Sequence, residues 1–106
     1  YEAEYLATIA SRASSSTPTL SRVVGKHCES GDIVVRHSYL PSDVAVNDLL
    51  AVAATGAYCF SLSSNYNFLP RPAVVAVKSS KAKLLVRAET ELDLLMRDAG
   101  FESKEA

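Results

Sequence analysis

Residues 20–40 read Leu-Ser-Arg-Val-Val-Gly-Lys-His-Cys-Glu-Ser-Gly-Asp-Ile-Val-Val-Arg-His-Ser-Tyr-Leu, and the polar octet at 25–32 decides how the rest is read. β-branched residues flank it on both sides, Val23 and Val24 before and Ile33, Val34 and Val35 after. Extended runs separated by Glu29-Ser30-Gly31-Asp32 predict two antiparallel strands, 20–27 and 33–40, joined by a turn. The octet sets a thiol (Cys28), a carboxylate (Glu29) and an imidazole (His27) side by side. Two readings of it stand at this level. One is a tight hairpin with a buried cysteine; the other is a rim that presents polar side chains to a partner or ligand.

Around that hairpin the chain has 106 residues, enough for one compact domain with a modest core. Hydrophobic residues make up 48 % and charged residues 22 %, the balance of a soluble globular domain. A formal net charge of −1 provides no electrostatic footprint for nucleic acid or anionic lipid. No apolar run approaches the roughly 20 residues of a membrane span, and no basic-then-apolar leader is visible. Cys28 and Cys59 are too few for a disulfide framework, so reduced thiols and a cytoplasmic setting are expected. The only methionine is Met96, and Tyr1, Ala3, Tyr5, Ala7 and Ile9 already alternate. The chain is therefore expected to be a piece of a longer polypeptide.

In chain order, residues 5–13 predict a strand, and Ser14-Ser15-Ser16-Thr17-Pro18-Thr19 a loop. Residues 41–48 connect, and the unbroken apolar run at 49–54 predicts a strand buried on both faces. Thr55-Gly56-Ala57-Tyr58 predicts a small-residue bend; residues 59–67 fit strand, turn or short helix. Pro70-Arg71-Pro72 stops regular structure. Strands at 73–78 and 83–87 around Ser79-Ser80 predict a hairpin. Thr90 can cap a helix with Glu91 and Asp93 in its first turn. Leu92, Leu95, Met96 and Ala99 recur at helical spacing, with Gly100 as the stop. About six strands and one terminal helix predict a mainly β chain, a sandwich or barrel.

His27, Cys28, His37 and Cys59 lack the spacing of a metal site, and adjacent residues on a strand face opposite ways. The same adjacency argues against a Cys–His nucleophilic pair. His37 reads as a half-exposed strand histidine. No glycine-rich phosphate cradle occurs. Tyr58 after its small-residue bend fits either a buried phenol with a satisfied hydroxyl or one aimed at a ligand.

Taken in order, Cys28-Glu29-Ser30-Gly31-Asp32, Asp48-Leu49-Leu50-Ala51-Val52, Gly56-Ala57-Tyr58, Ser63-Ser64-Asn65-Tyr66-Asn67, Arg71-Pro72 and Arg87-Ala88-Glu89-Thr90 form a specific series. It closely resembles the C-terminal domains of the diaminopimelate decarboxylase family, pyridoxal-phosphate-dependent enzymes of fold type III related in architecture to alanine racemase and eukaryotic ornithine decarboxylase. Lys26-His27-Cys28-Glu29 and Ala53-Ala54-Thr55-Gly56-Ala57-Tyr58-Cys59 are most similar to actinobacterial versions. The resemblance implies a Greek-key β-sandwich or barrel of the alanine racemase C-terminal-domain type over residues 1–100, with a short C-terminal helix and a flexible tail at 101–106. It implies a parent homodimer that converts meso-diaminopimelate to L-lysine and carbon dioxide. There an N-terminal (β/α)8 barrel holds the cofactor on a lysine, so Lys26, Lys78, Lys81, Lys83 and Lys104 are expected to be surface charges and the isolated piece inactive.

By the same resemblance, Cys28 is the catalytic thiol offered to the partner subunit, returning a proton after carbon dioxide leaves. An ordinary thiol holds its proton at neutral pH, which suits that role. Glu29 would bind the distal ammonium, Tyr58 the cofactor phosphate and the substrate, and Tyr1 the substrate as the last residue of an Arg-Pro-x-x-Tyr motif. Related arginine, ornithine or carboxynorspermidine decarboxylases, and a stand-alone β interaction module, are the rival readings. Glu29 after the cysteine favours a substrate with a second amino-acid head. Faces that meet the barrel and the partner are expected to be apolar and to associate when bare.

Overall fold

The computed structural model describes residues 5–101. It is mainly β, with six strands, two short α-helices and one 3₁₀ turn. The chain divides into two compact units, residues 1–59 and 60–106.

The first unit is organised by the hairpin of β2 (Pro18–Val24) and β3 (Ile33–Pro41), antiparallel from Pro18↔Pro41 to Val24↔Ile33. The register slips twice along it, between Ser21 and Val23 and again between Val23 and Val24. Across these slips two residues of β2 oppose three of β3, then one opposes two, so β3 carries the bulges. A bulge reverses the in–out alternation, and the buried residues of β3 are accordingly Val35, Ser38 and Leu40. Val35 and Leu40 form the core with Ala7, and Val23 and Val52 pack against them.

β1 (Ala7–Ile9) pairs antiparallel with β4 (Leu50–Val52), in the register Ala7↔Val52 to Ile9↔Leu50. Ser38 ties β1 to β3 as well. The Ala7 N–H donates to Ser38 Oγ (3.1 Å), and the Ser38 hydroxyl donates to the Ala7 carbonyl (3.0 Å). One buried side chain thus satisfies both backbone groups of Ala7. Ser38→Ala is expected to destabilise the full-length protein by about 1–3 kcal/mol, the cost of stranding buried backbone groups. A melting temperature unchanged from wild type would refute this.

Polar pairing closes the same unit. The Arg12 guanidinium grips Asp48 through Nε–Oδ1 and Nη2–Oδ2, both 2.8 Å, and reaches Asp43 Oδ2 at 3.1 Å. Asp48 also accepts the Ala45 N–H (2.9 Å) across a turn in which Asn47 takes positive φ. The Arg12 bonds hold the Asp48 carboxyl at about 2, well below its ordinary range.

β4 corrects the sequence reading, because its run is not buried on both faces: Leu49 is 65 % and Leu50 38 % exposed. Among the described residues the strand pairs only with β1. Nor is Tyr58 at a mere bend. It sits in the first turn of α1 (Gly56–Leu62), which begins where the Thr55 carbonyl accepts the Cys59 N–H (3.2 Å).

In the second unit a 3₁₀ turn (Tyr66–Phe68) precedes the hairpin of β5 (Val74–Lys78) and β6 (Lys81–Val86). Ser79 and Ser80 form its two-residue loop, both at positive φ (50° and 60°). That is the geometry of a type I′ turn, which favours Asn-Gly over Ser-Ser. The double change Ser79→Asn with Ser80→Gly is expected to stabilise the hairpin by about 1 kcal/mol. Slower hydrogen exchange at 74–86 is the readout, and faster exchange would contradict it.

α2 (Glu91–Leu95) starts at a capping box, in which Thr90 and Asp93 satisfy each other's backbone N–H. It ends at Met96, short of the Gly100 stop that the spacing predicts. Leu92 and Met96 are 49 % and 67 % exposed, and an unburied apolar stripe gives a helix little reason to propagate. The strands pair as three separate two-stranded sheets, β1–β4, β2–β3 and β5–β6, and close no barrel among the described residues.

Candidate functional site

The polar octet becomes the loop between β2 and β3. Its backbone closes with the Gly25 N–H donating to the Asp32 carbonyl (2.9 Å). Inside that ring the Asp32 N–H donates to the Glu29 carbonyl (3.1 Å), and the Ile33 N–H to the Gly31 carbonyl (2.8 Å). Gly25 is required by close approach: a Cβ there would collide with the Asp32 carboxylate. Gly31, the turn glycine of the sequence reading, has no positive φ, and a Cβ on it would meet only Glu29 Oε1 at an ordinary 3.6 Å.

Asp32 is the hub. Its Oδ2 accepts the His27 backbone N–H (2.9 Å) and bonds His27 Nδ1 (2.8 Å). First the His27 N–H bond and then the ring bond lower the Asp32 pKa, so the carboxylate stays an acceptor at neutral pH. Nδ1 must therefore carry the proton, which fixes the ring's tautomer. Sequence reading missed this pair. Its signal was an aspartate five residues after a histidine, with a glycine positioned to admit the carboxylate.

Cys28 and Glu29 stand together on the loop, both exposed. The buried-cysteine reading is thereby set aside. Glu29 Oε1 accepts the Gly31 N–H at 3.3 Å. Tyr58 is carried by another element, α1, and is 69 % exposed, so it is not the buried phenol of the bland reading. Tyr1, the other expected substrate residue, lies outside the described residues. His37 lies exposed on β3, and Cys59 is an exposed free thiol. Among the described residues no three His, Cys, Asp or Glu side chains gather as a metal site, and no helix is long and apolar enough to cross a membrane.

Other segments of the ordered series serve structure. Arg71 Nη2 and Nε bond Glu89 Oε1 (2.6 and 2.8 Å), while the Arg71 N–H and Asn65 Nδ2 donate to Oε2 (2.8 and 2.5 Å). The Glu89 N–H returns to the Arg71 carbonyl (3.0 Å). Arg87 likewise pairs with Asp93 at the start of α2. The Arg71 side chain above all holds the Glu89 carboxyl at about 2, against an ordinary 4.5. A depressed carboxylate stabilises the fold above its ordinary value and loses that contribution as pH falls toward its folded value. Between about pH 4.5 and 2 the Arg71 and Glu89 amides are expected to lose exchange protection, an acid sensitivity that Glu89→Gln should abolish. Protection constant through that window would rule out the coupling.

Residues 1–56, which hold this bulged hairpin with its Cys-Glu and Asp–His pairs, match the C-terminal sheet domain of pyridoxal-dependent decarboxylases, and the chain belongs to that family. Its relatives include diaminopimelate decarboxylases. That of Mycobacterium tuberculosis is 57 % identical over 95 residues, covering 90 % of this chain and 21 % of the relative. That of Corynebacterium efficiens is 54 % identical over the same shares, and that of Bacillus subtilis 43 % identical over 97 % of this chain and 23 % of its own. A crystal structure of a diaminopimelate decarboxylase superposes with a TM-score of 0.73 at 34 % identity, over 87 % of this chain and 24 % of the other. The chain thus spans about a fifth of the length of the curated relatives it matches. Tyr58 lies just past the matched segment, whereas Cys28 and Glu29 lie within it.

Proposed function

We propose that this chain is the C-terminal part of a diaminopimelate decarboxylase, a cytoplasmic homodimer in which it completes the active site of a partner subunit. The observation that carries the reading is the exposed Cys28-Glu29 pair on a loop with no apolar anchor, in a chain of this family. The likeness of its six strands to the solved enzyme also supports a Greek-key sandwich or barrel of the alanine racemase C-terminal-domain type.

The side chains fit pyridoxal phosphate chemistry. An exposed phenol at Tyr58 can donate to a phosphate oxygen, and an exposed thiol and carboxylate can face a substrate. The family resemblance implies that the cofactor-bearing lysine belongs to an N-terminal barrel, and the described lysines Lys26, Lys78, Lys81 and Lys83 are exposed charges. Bound pyridoxal phosphate supplies a sink for the electron pair left when carbon dioxide departs. Cys28 then gives its thiol proton to the substrate's α-carbon: the S–H bond breaks, a C–H bond forms, and the thiolate recovers a proton from solvent. Glu29 holds the substrate's distal ammonium, and the family resemblance alone assigns Tyr1 to substrate binding. Charge pairing there favours a substrate that carries a distal cation over one that lacks it.

The full-length protein, purified with its cofactor, is expected to release carbon dioxide from meso-diaminopimelate and to leave arginine, ornithine and carboxynorspermidine unchanged. Turnover of one of those instead would reassign the substrate. No turnover of any, with no cofactor absorbance, would return the chain to an interaction module.

A further inference from the structure

We propose that the His27–Asp32 clasp is a positioning device for the reaction, fixing the backbone on either side of Cys28 and so the aim of its thiol. The proposal rests on the reading of Cys28 as proton donor. Asp32 contacts the loop at four points: the Gly25 N–H, the His27 N–H, His27 Nδ1 and the Glu29 carbonyl. The His27 N–H and the Glu29 carbonyl bracket Cys28, with Cys28 alone between the anchor points. Gly25 lets the Asp32 carboxylate sit against the strand end, where any side chain would displace it.

The alternative anchor, burial, is missing. From residue 25 to 32 the loop carries no large apolar side chain, and Lys26, Cys28, Glu29 and Ser30 are all exposed. An exposed loop without apolar packing is mobile unless hydrogen bonds hold it. A proton donor misplaced by about 1 Å can cost about a hundredfold in rate. The imidazole does its work through Nδ1, and an asparagine amide placed there can donate to the same carboxylate oxygen. That gives the proposal a conservative replacement.

The test uses the full-length holoenzyme with His27→Ala, His27→Asn and Cys28→Ala, reading cofactor absorbance, kcat, KM and the solvent isotope effect on kcat. His27→Ala is expected to retain full cofactor and to lose about tenfold in kcat. Its solvent isotope effect should rise, because proton delivery becomes slow, and His27→Asn should recover most of the loss. The proposal is overturned if His27→Ala matches wild type, or if its kcat falls only in step with cofactor content at an unchanged isotope effect. His27→Asn no better than His27→Ala overturns it too. Inactive Cys28→Ala beside normal His27→Ala sinks the clasp alone; active Cys28→Ala sinks the functional reading, and the clasp with it.

Discussion

The full-length protein carrying Cys28→Ala is expected to lose about 10²- to 10⁴-fold of its turnover on meso-diaminopimelate while keeping its pyridoxal phosphate, the range typical of a removed general acid. Cys28 is exposed on a loop closed by backbone bonds from Gly25 to Asp32 and from Asp32 to Glu29, none of which involves the thiol. Removing the sulfur therefore leaves the hairpin intact, so a loss of rate with full cofactor absorbance reports chemistry rather than unfolding. Cys28→Ser sharpens the experiment. It restores size and a hydrogen-bonding group but not acidity, a hydroxyl being a far weaker acid than a thiol. Serine nearly as slow as alanine would mark proton donation, whereas serine close to wild type would mark mere space filling. Wild-type turnover in both variants would return residues 25–32 to the role of a structural turn.

How much of this was legible follows from which forces acted locally. The β2–β3 and β5–β6 hairpins and the Thr90 cap were readable, because alternation, turn residues and capping chemistry are written within a few positions of one another. The inward face of β3 was not. Strict alternation groups Val35 with His37 and Tyr39, but the bulge carries burial from Val35 to Ser38 and Leu40 and leaves Tyr39 68 % exposed. A bulge is set by pairing with β2 and by the bond from Ser38 to Ala7, 31 positions away, so no local pattern announces it. The exposed β4 run misled for a related reason, since composition records an apolar face but not what covers it. At the site, the resemblance singled out Cys28 and Glu29, while the Asp32–His27 clasp needed the loop's geometry.

Glu29→Gln is the second large effect, and it should divide differently between the kinetic constants. A distal ammonium far from the reacting carbon is held alike before and during the reaction, so losing its partner raises KM and leaves kcat nearly unchanged. A charge-assisted hydrogen bond reduced to a neutral one is expected to lower kcat/KM for meso-diaminopimelate roughly ten- to a hundredfold. Glutamine keeps an oxygen where Glu29 Oε1 accepts the Gly31 N–H, so the turn itself has no reason to change. Discrimination supplies the decisive control. If Glu29 reads the distal ammonium, an analogue lacking that group binds wild type and variant equally, and the advantage of meso-diaminopimelate over it shrinks by the full loss. A variant equally impaired toward both substrates would mean that Glu29 supports the loop and that the specificity lies elsewhere.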